Sequence, residues 1–288
     1  MTRPLDPGLG EVVERLVRMA LDEDVGSGDV TTLWTVPDDT TGSAVVVAKE
    51  DLVVAGTEPA RRSFLACDAG LAVEPAAEDG RRVRAGDPLL TVHGRLAPIL
   101  TGERTALNFL GRLSGIATLT ARFVDAVRGT GARILDTRKT TPGWRALEKE
   151  AVRSGGGFNH RMGLHDFVLV KDNHIAAAGG ITEAVLRVRR ENQGGLPLEV
   201  EVTSEPELEE ALALGVGRIL LDNMSPEALA RAVRRARELG TDRPELEASG
   251  NVTLDNVRRV AETGVDWISV GALTHSARAA DVSLRVGR

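Results

Sequence analysis

Cysteine, tyrosine and lysine are the scarce residues of this 288-residue chain. Cys67 is the only cysteine, which excludes an intramolecular disulfide and a cysteine-cluster metal site and fits a reducing cytoplasm. Tyrosine is absent. No run of about 18 apolar residues occurs, so no membrane span is expected. Residues 1–10 also lack the basic segment and apolar stretch of a secretory leader. Positive charge is not in excess: 36 Lys and Arg against 42 Asp and Glu leave a net charge of −6. A scattered negative field repels polyanions, and nucleic acid is not an expected partner. Lysine is confined to Lys49, Lys139, Lys149 and Lys171, every other basic residue being arginine. A compact ammonium kept in such a background points to a task that a planar guanidinium does not perform.

What is present is an ordinary globular composition, 42% hydrophobic and 27% charged, enough to bury one large core or two smaller ones. After an amphipathic helix over residues 9–23, the first hundred residues alternate short β-like runs (44–49, 52–55, 89–92) with turns such as Asp79-Gly80 and Gly86-Asp87-Pro88. That pattern predicts a sandwich-like α+β domain over residues 1–114. Leu107, Leu110 and Leu113 then form a helical stripe that Gly111 and Gly115 are expected to interrupt.

Beyond residue 115 the rhythm changes. Strand-like runs at 132–136, 167–170, 198–202, 218–221, 245–248 and 267–270 alternate with amphipathic helices at 182–191, 205–214, 226–239 and 254–263. Such alternation implies parallel strands with helical crossovers. A complete eight-fold barrel takes about 250 residues and each strand-helix-strand unit about 30. Residues 115–275 therefore predict an incomplete, open α/β barrel of six or seven strands, with a doubly wound open sheet as the alternative. The tail, 276–288, is expected to pack with the N-terminal domain.

In parallel α/β folds chemistry collects at the carboxyl ends of the strands. Here those ends read Asp136-Thr137-Arg138-Lys139, Lys171-Asp172-Asn173-His174, Glu201, Asp222-Asn223, Ser249-Gly250-Asn251 and Gly271. One polar strand end caps a turn; six in succession, with Lys139, Lys171, Glu201 and Asp222 on one rim, describe a cleft whose charges need a ligand or one another. The loop Gly155-Gly156-Gly157-Phe158-Asn159-His160-Arg161 lacks the spacing of a dinucleotide fingerprint or a P-loop. It does present a histidine and an arginine from a glycine turn. Arg138, Lys139, His160, Arg161 and Lys171 thus form a cationic pocket suited to a small polycarboxylate. Glu201 and Asp222 face phosphate-binding glycines and could hold sugar hydroxyls or Mg²⁺.

These residues resemble those of the quinolinate phosphoribosyltransferases, also called decarboxylating nicotinate-nucleotide pyrophosphorylases, over roughly residues 21–284. The motifs are Gly102-Glu103-Arg104-Thr105-Ala106-Leu107-Asn108, the Asp136 to Pro142 segment, the Gly155 to Arg161 loop, Lys171-Asp172-Asn173-His174, Glu199-Val200-Glu201, Leu220-Leu221-Asp222-Asn223 and Ser269-Val270-Gly271-Ala272-Leu273-Thr274-His275. The resemblance implies transfer of phosphoribosyl from 5-phosphoribosyl-1-pyrophosphate to quinolinate, with Mg²⁺, giving nicotinate mononucleotide, pyrophosphate and CO₂. It implies that Arg138, His160, Arg161 and Lys171 grip the quinolinate carboxylates and that Lys139 neutralises pyrophosphate. Glu201 and Asp222 would face the ribose and metal, with Ser249, Gly250, Asn251, Gly271 and His275 around the 5-phosphate. Arg104 would reach into the neighbouring subunit's site, making a homodimer obligatory. Glu150 and His165 stand where the family often has aromatic residues, which bears on local packing.

Two other readings fit some of these residues. A strand-end lysine, Lys171 or Lys139, could form a Schiff base as in class I aldolases, or the fold could serve as a silent phosphosugar-binding regulator. Intact Glu201 and Asp222 speak against the regulator. His93, Trp144 and Cys67 read as packing or surface residues, and His174 as a residue that could orient the Lys171 loop.

Overall fold

A computed structural model describes residues 7–287. Residues 1–6 and Arg288, which the sequence assigns to the N-terminal domain and the tail, lie outside the described residues. The described strands, in chain order, are β1 (Thr41–Ala48), β2 (Leu52–Val53), β3 (Ala72–Pro75), β4 (Arg82–Val83), β5 (Pro88–Arg95), β6 (Arg133–Leu135), β7 (Val168–Val170), β8 (Leu198–Val202), β9 (Arg218–Asp222), β10 (Glu245–Ser249), β11 (Trp267–Ser269) and β12 (Val282–Gly287).

The described residues divide into two compact units: 7–121, 140–156 and 273–287, and 122–139 and 157–272. In the first, an antiparallel sheet of order β12-β1-β5-β3 buries Val46, Leu90 and Val92 with Phe64 and Leu110 from the helices Thr57–Cys67 and Leu96–Ala126. The tail joins this sheet as its edge strand, Val46 of β1 pairing with Leu284 of β12. Gly111 and Gly115 do not break the 31-residue helix Leu96–Ala126; they let the tail cross it. A Cβ on Gly115 would lie 1.9 Å from the Arg278 carbonyl oxygen, and Ala280 N–H donates to Gly111 O at 2.8 Å.

The segment 140–156 belongs to the first unit, although a cut at residue 115 would put it in the barrel. Two contacts help to hold its helix Arg145–Ser154 there. Trp144 stacks on Phe109 with centroids 4.8 Å apart, and the fully buried Glu148 accepts from Arg112 at 2.8 Å and from the Thr141 N–H at 3.0 Å. Arg112 also donates to Ala277 O at 2.7 Å, so one buried ion pair joins two helices and the chain leading to the tail. Glu150, on the outer side of the same helix, pairs with Arg153 at 3.3 Å.

The second unit is built on a six-stranded sheet in which every pairing is parallel, with order β6-β11-β10-β9-β8-β7. Its end strands β6 and β7 do not pair with each other, so the barrel is open. A lone parallel bridge from Leu135 to Phe158 extends the sheet at the β6 side, a stub in the place of a seventh strand. The crossover helices begin as their sequences dictate. Ser225 Oγ accepts from Ala228 N–H ahead of Pro226–Arg237, and Ser204 Oγ accepts from Glu207 N–H ahead of Glu205–Ala213, each with proline in the first turn.

Candidate active site

Parallel register decides which side chains share a face of the second unit. Glu201 lies opposite Leu220, Leu220 opposite Glu247, and Asp222 opposite Ser249. Because side chains alternate along a strand, Glu199 and Glu201, Arg218 and Asp222, Glu247 and Ser249, and Ser269 fall on one face. Val200, Ile219, Leu221, Leu246, Ala248 and Ile268 fall on the other, where all are buried. A parallel sheet covered on both faces normally carries apolar residues throughout. One face here is instead lined with charge, and its upper row is the expected site: Glu201 is the last residue of β8 on that face, Asp222 and Ser249 end β9 and β10, and Gly271 lies just beyond β11.

Lys171 follows β7 and closes the same rim. Its Nζ is 2.9 Å from Glu201 Oε2, and its N–H donates to His174 Nδ1 at 3.1 Å. His174 therefore orients the Lys171 segment. An amine in an ion pair with a carboxylate is a counter-charge, and this geometry offers the Schiff-base reading no support.

The turns after β9 and β10 are locked together. Asn223 and Asn251 have φ of 55° and 50°, left-handed values that asparagine tolerates better than most residues. Asn251 Nδ2 donates to Asn223 Oδ1 at 3.0 Å, and Asn223 Nδ2 donates to Asp222 Oδ2 at 2.7 Å. Between them Gly250 has φ of 94°, and a Cβ there would stand 2.2 Å from Asn223 Oδ1. Only glycine fits, and backbone forced into such a corner pre-organises the Ser249-Gly250-Asn251 segment beside Asp222.

The cationic side is assembled at the end of β6. Asp136 is fully buried, and its carboxylate accepts from Asn159 Nδ2 at 2.6 Å and from His160 N–H at 2.8 Å. Phe158 N–H donates to Ile134 O at 2.8 Å, so the glycine loop is laid along the strand. Arg138 and Arg161 are thereby brought close. Burial first, and then repulsion from Arg138, hold the Arg161 guanidinium below its ordinary value, while Glu199 and Asp166 act in the opposite sense. Lys139 is exposed on the same loop, where its N–H donates to Thr137 Oγ1 at 3.0 Å.

The other expected site residues belong to the first unit. Arg104 is exposed on the helix Leu96–Ala126, and His275 is exposed at the end of Ala272–His275, its Nδ1 2.7 Å from Ser276 Oγ.

One group lay outside the expected site: Glu199, Glu247, Arg218 and Ser269, beneath the rim. Glu199 and Glu247 are fully buried. Burial is the main cause that pushes their carboxyls up, to about 7 and about 8. His160, Glu199 and Glu247 place potential ligand atoms within 4.8 Å of one another. However, the Arg218 guanidinium lies 3.6 Å from Glu247 and supplies the cation this pocket needs. The signal was legible as glutamates at alternate positions of otherwise apolar strands, Glu199 with Glu201 and Glu245 with Glu247.

Fold and rim define an open α/β barrel with a charged cleft at its strand ends, the place where enzymes of this architecture act. The sequence profile of the quinolinate phosphoribosyl transferase N-terminal domain matches residues 29–114 and that of its C-terminal domain residues 116–285; the chain belongs to this family. It is 47% identical over 274 residues, covering 93% of this chain and 95% of the relative, to the nicotinate-nucleotide pyrophosphorylase (carboxylating) of Mycobacterium leprae. It is 43% identical to the quinolinate phosphoribosyltransferase (decarboxylating) 1b of Nicotiana tabacum, over 94% of this chain and 81% of that one. A solved nicotinate-nucleotide pyrophosphorylase from Francisella tularensis superposes with a TM-score of 0.92 at 40% identity, over 96% of each chain.

Proposed function

We infer that the protein transfers the phosphoribosyl group of 5-phosphoribosyl-1-pyrophosphate to quinolinate with decarboxylation, giving nicotinate mononucleotide for NAD biosynthesis. What supports this reading is the strand-end rim on which Lys171 Nζ meets Glu201 Oε2 at 2.9 Å, with Asp222 on the same face of the sheet and Arg138 close enough to Arg161 for the two like charges to repel. A small dianionic ring relieves that repulsion. Guanidinium forks suit its carboxylates, each charged hydrogen bond contributing about 1.5–3 kcal/mol.

The chemistry follows from the two-sided pocket. The C1–O bond of the ribose breaks, and pyrophosphate leaves with the electron pair, its charge met by Lys139. The oxocarbenium-like ribose is stabilised by Glu201 and Asp222 on its flank. The pyridine nitrogen attacks C1 and becomes cationic. It then accepts the electrons released when the adjacent carboxylate departs as CO₂, and a proton replaces that carboxylate on carbon. The turns at Ser249-Gly250-Asn251 and Gly271 suit the 5-phosphate. Two carboxylates and a polyphosphate substrate are a donor set that Mg²⁺ accepts. Bound there by Glu201 and Asp222, the ion would supply charge neutralisation for pyrophosphate.

The active form in this reading is a homodimer in a reducing cytoplasm, with Arg104 of the partner subunit completing each site. The exposure of Arg104 and the lone, half-buried Cys67 support it. Among the described residues no helix is long and apolar enough to cross a membrane. The test is direct: quinolinate, the pyrophosphorylated ribose and Mg²⁺ are supplied, and nicotinate mononucleotide is sought by chromatography. Nicotinate, which lacks the second carboxylate, should not replace quinolinate; equal turnover of both would overturn the carboxylate-clamp reading.

A further inference from the structure

Upstream of the rim, on the same face, lies a buried layer of charge. Ser269 Oγ donates to Glu247 Oε1, and Arg218 faces Glu247 from β9. His160 reaches into this layer with only 7% of its side chain exposed. Its Nε2 lies 3.0 Å from Glu199 Oε2 and 3.5 Å from Glu247 Oε2, and its ring meets the Phe167 ring edge-on, 5.2 Å between centroids.

The other ring nitrogen decides the protonation state. Arg161 N–H donates to His160 Nδ1 at 2.7 Å. A backbone N–H can only donate, so Nδ1 is an acceptor and carries no proton. The imidazole proton is on Nε2 and points to Glu199. Adding a second proton would set two donors against each other at 2.7 Å.

We propose that His160 is a neutral positioning residue, not a cationic ligand of the pyridine carboxylates. It is a strut that ties the backbone of Arg161 to the buried acids of β8 and β10, and so fixes where the Arg161 guanidinium meets substrate. This rests on the proposed function for the identity of that substrate. The charged groups facing the strut are Glu199, Glu247 and Arg218 from the strands, Asp136 from the end of β6, and Arg161 itself. A carboxylate beside an imidazole would ordinarily draw a second proton onto the ring. Burial raises both neighbouring acids, Glu199 to about 7 and Glu247 to about 8, which weakens that pull, and the Arg161 N–H occupies the Nδ1 lone pair that a second proton would need. The dianion is therefore held by Arg138, Arg161 and Lys171.

The experiment is a long-range proton–nitrogen spectrum of the full-length enzyme labelled with ¹⁵N-histidine. The chain has five histidines. His160 is assigned as the signal set that persists in each of His93→Gln, His165→Gln, His174→Gln and His275→Gln, so no substitution at the strut is needed. One protonated and one bare nitrogen are expected at His160, before and after saturation with quinolinate. A ring protonated on both nitrogens in the complex would overturn the inference. Kinetics supply a second readout. His160→Gln should raise KM for quinolinate by about 10- to 100-fold through displacement of Arg161. It should also keep the wild-type pH profile of kcat/KM. A limb present in the wild type and missing from the variant would instead identify a titrating cationic ligand. A wild-type enzyme that makes no nicotinate mononucleotide removes the substrate assignment, whereas a doubly protonated His160 removes this inference alone.

Discussion

Lys171 Nζ and Glu201 Oε2 meet at 2.9 Å across the barrel rim. In the proposed reaction this pair couples the cations that would bind the quinolinate carboxylates to the acid that would face the ribose. Lys171→Ala removes one charged contact of about 1.5–3 kcal/mol, or about 10- to 150-fold in kcat/KM. The loss should fall mainly on KM for quinolinate, whereas Glu201→Gln should fall mainly on kcat. Steady-state kinetics with each substrate varied in turn separates the two. The same split in both variants would cancel this division of labour.

Arg138→Ala and Lys139→Ala should abolish measurable turnover while leaving the circular dichroism spectrum and Tm close to wild type. Both side chains sit on the loop after β6, outside the apolar cores, and Lys139 is exposed. Near-normal product formation by Lys139→Ala would take that residue out of pyrophosphate neutralisation.

Arg104→Ala should be inactive alone, and so should Lys139→Ala. Refolding them together in equal amounts should restore about a quarter of wild-type activity. Half of a randomly mixed dimer population is hybrid, and each hybrid has one site free of both substitutions. No recovery, with hybrid dimers verified by differential tagging, would place Arg104 outside the neighbouring site.

The buried acids set a pH dependence of stability. Glu199 and Glu247 are raised from 4.5 to about 7 and about 8, so between about pH 4.5 and 8 the folded protein binds more protons than the unfolded chain. Their contribution is most favourable below the ordinary carboxylate range, declines as pH rises through that window and levels off above it. Glu247→Gln copies the protonated acid. Calorimetry at pH 5.5 and pH 8 should show a smaller fall in Tm for this variant than for wild type; equal falls would mean that Glu247 stays ionised throughout.

Gly115→Ala drives a methyl group to within 1.9 Å of the Arg278 carbonyl, and backbone cannot yield as a side-chain tip does. A loss of about 1–3 kcal/mol or more is expected in denaturant unfolding. Gly217→Ala, with nothing within 4 Å of the added carbon, is the matched control and should be close to neutral.

Much of this molecule could be read before its coordinates. Ser204 and Ser225 followed by proline marked helix starts, and alternating strand and helix periods announced a parallel sheet too short to close. Lys139 and Lys171 stood out because lysine is rare. Gly111 and Gly115 do not act as breaks, since local propensity cannot see a tail that returns from the far end of the chain to lie on those glycines, Ala280 N–H bonding to Gly111 O.

Residue order by itself determined the open α/β barrel, its strand ends and the chemical types gathered there, because period, caps and turns are local properties. Only the tertiary structure decided that helix Arg145–Ser154 belongs to the first unit, that Arg138 and Arg161 repel, and that both nitrogens of His160 are engaged within the protein. Such facts depend on which strands become neighbours and on how burial raises the free energy of a charge, and neither is written in the spacing of the chain.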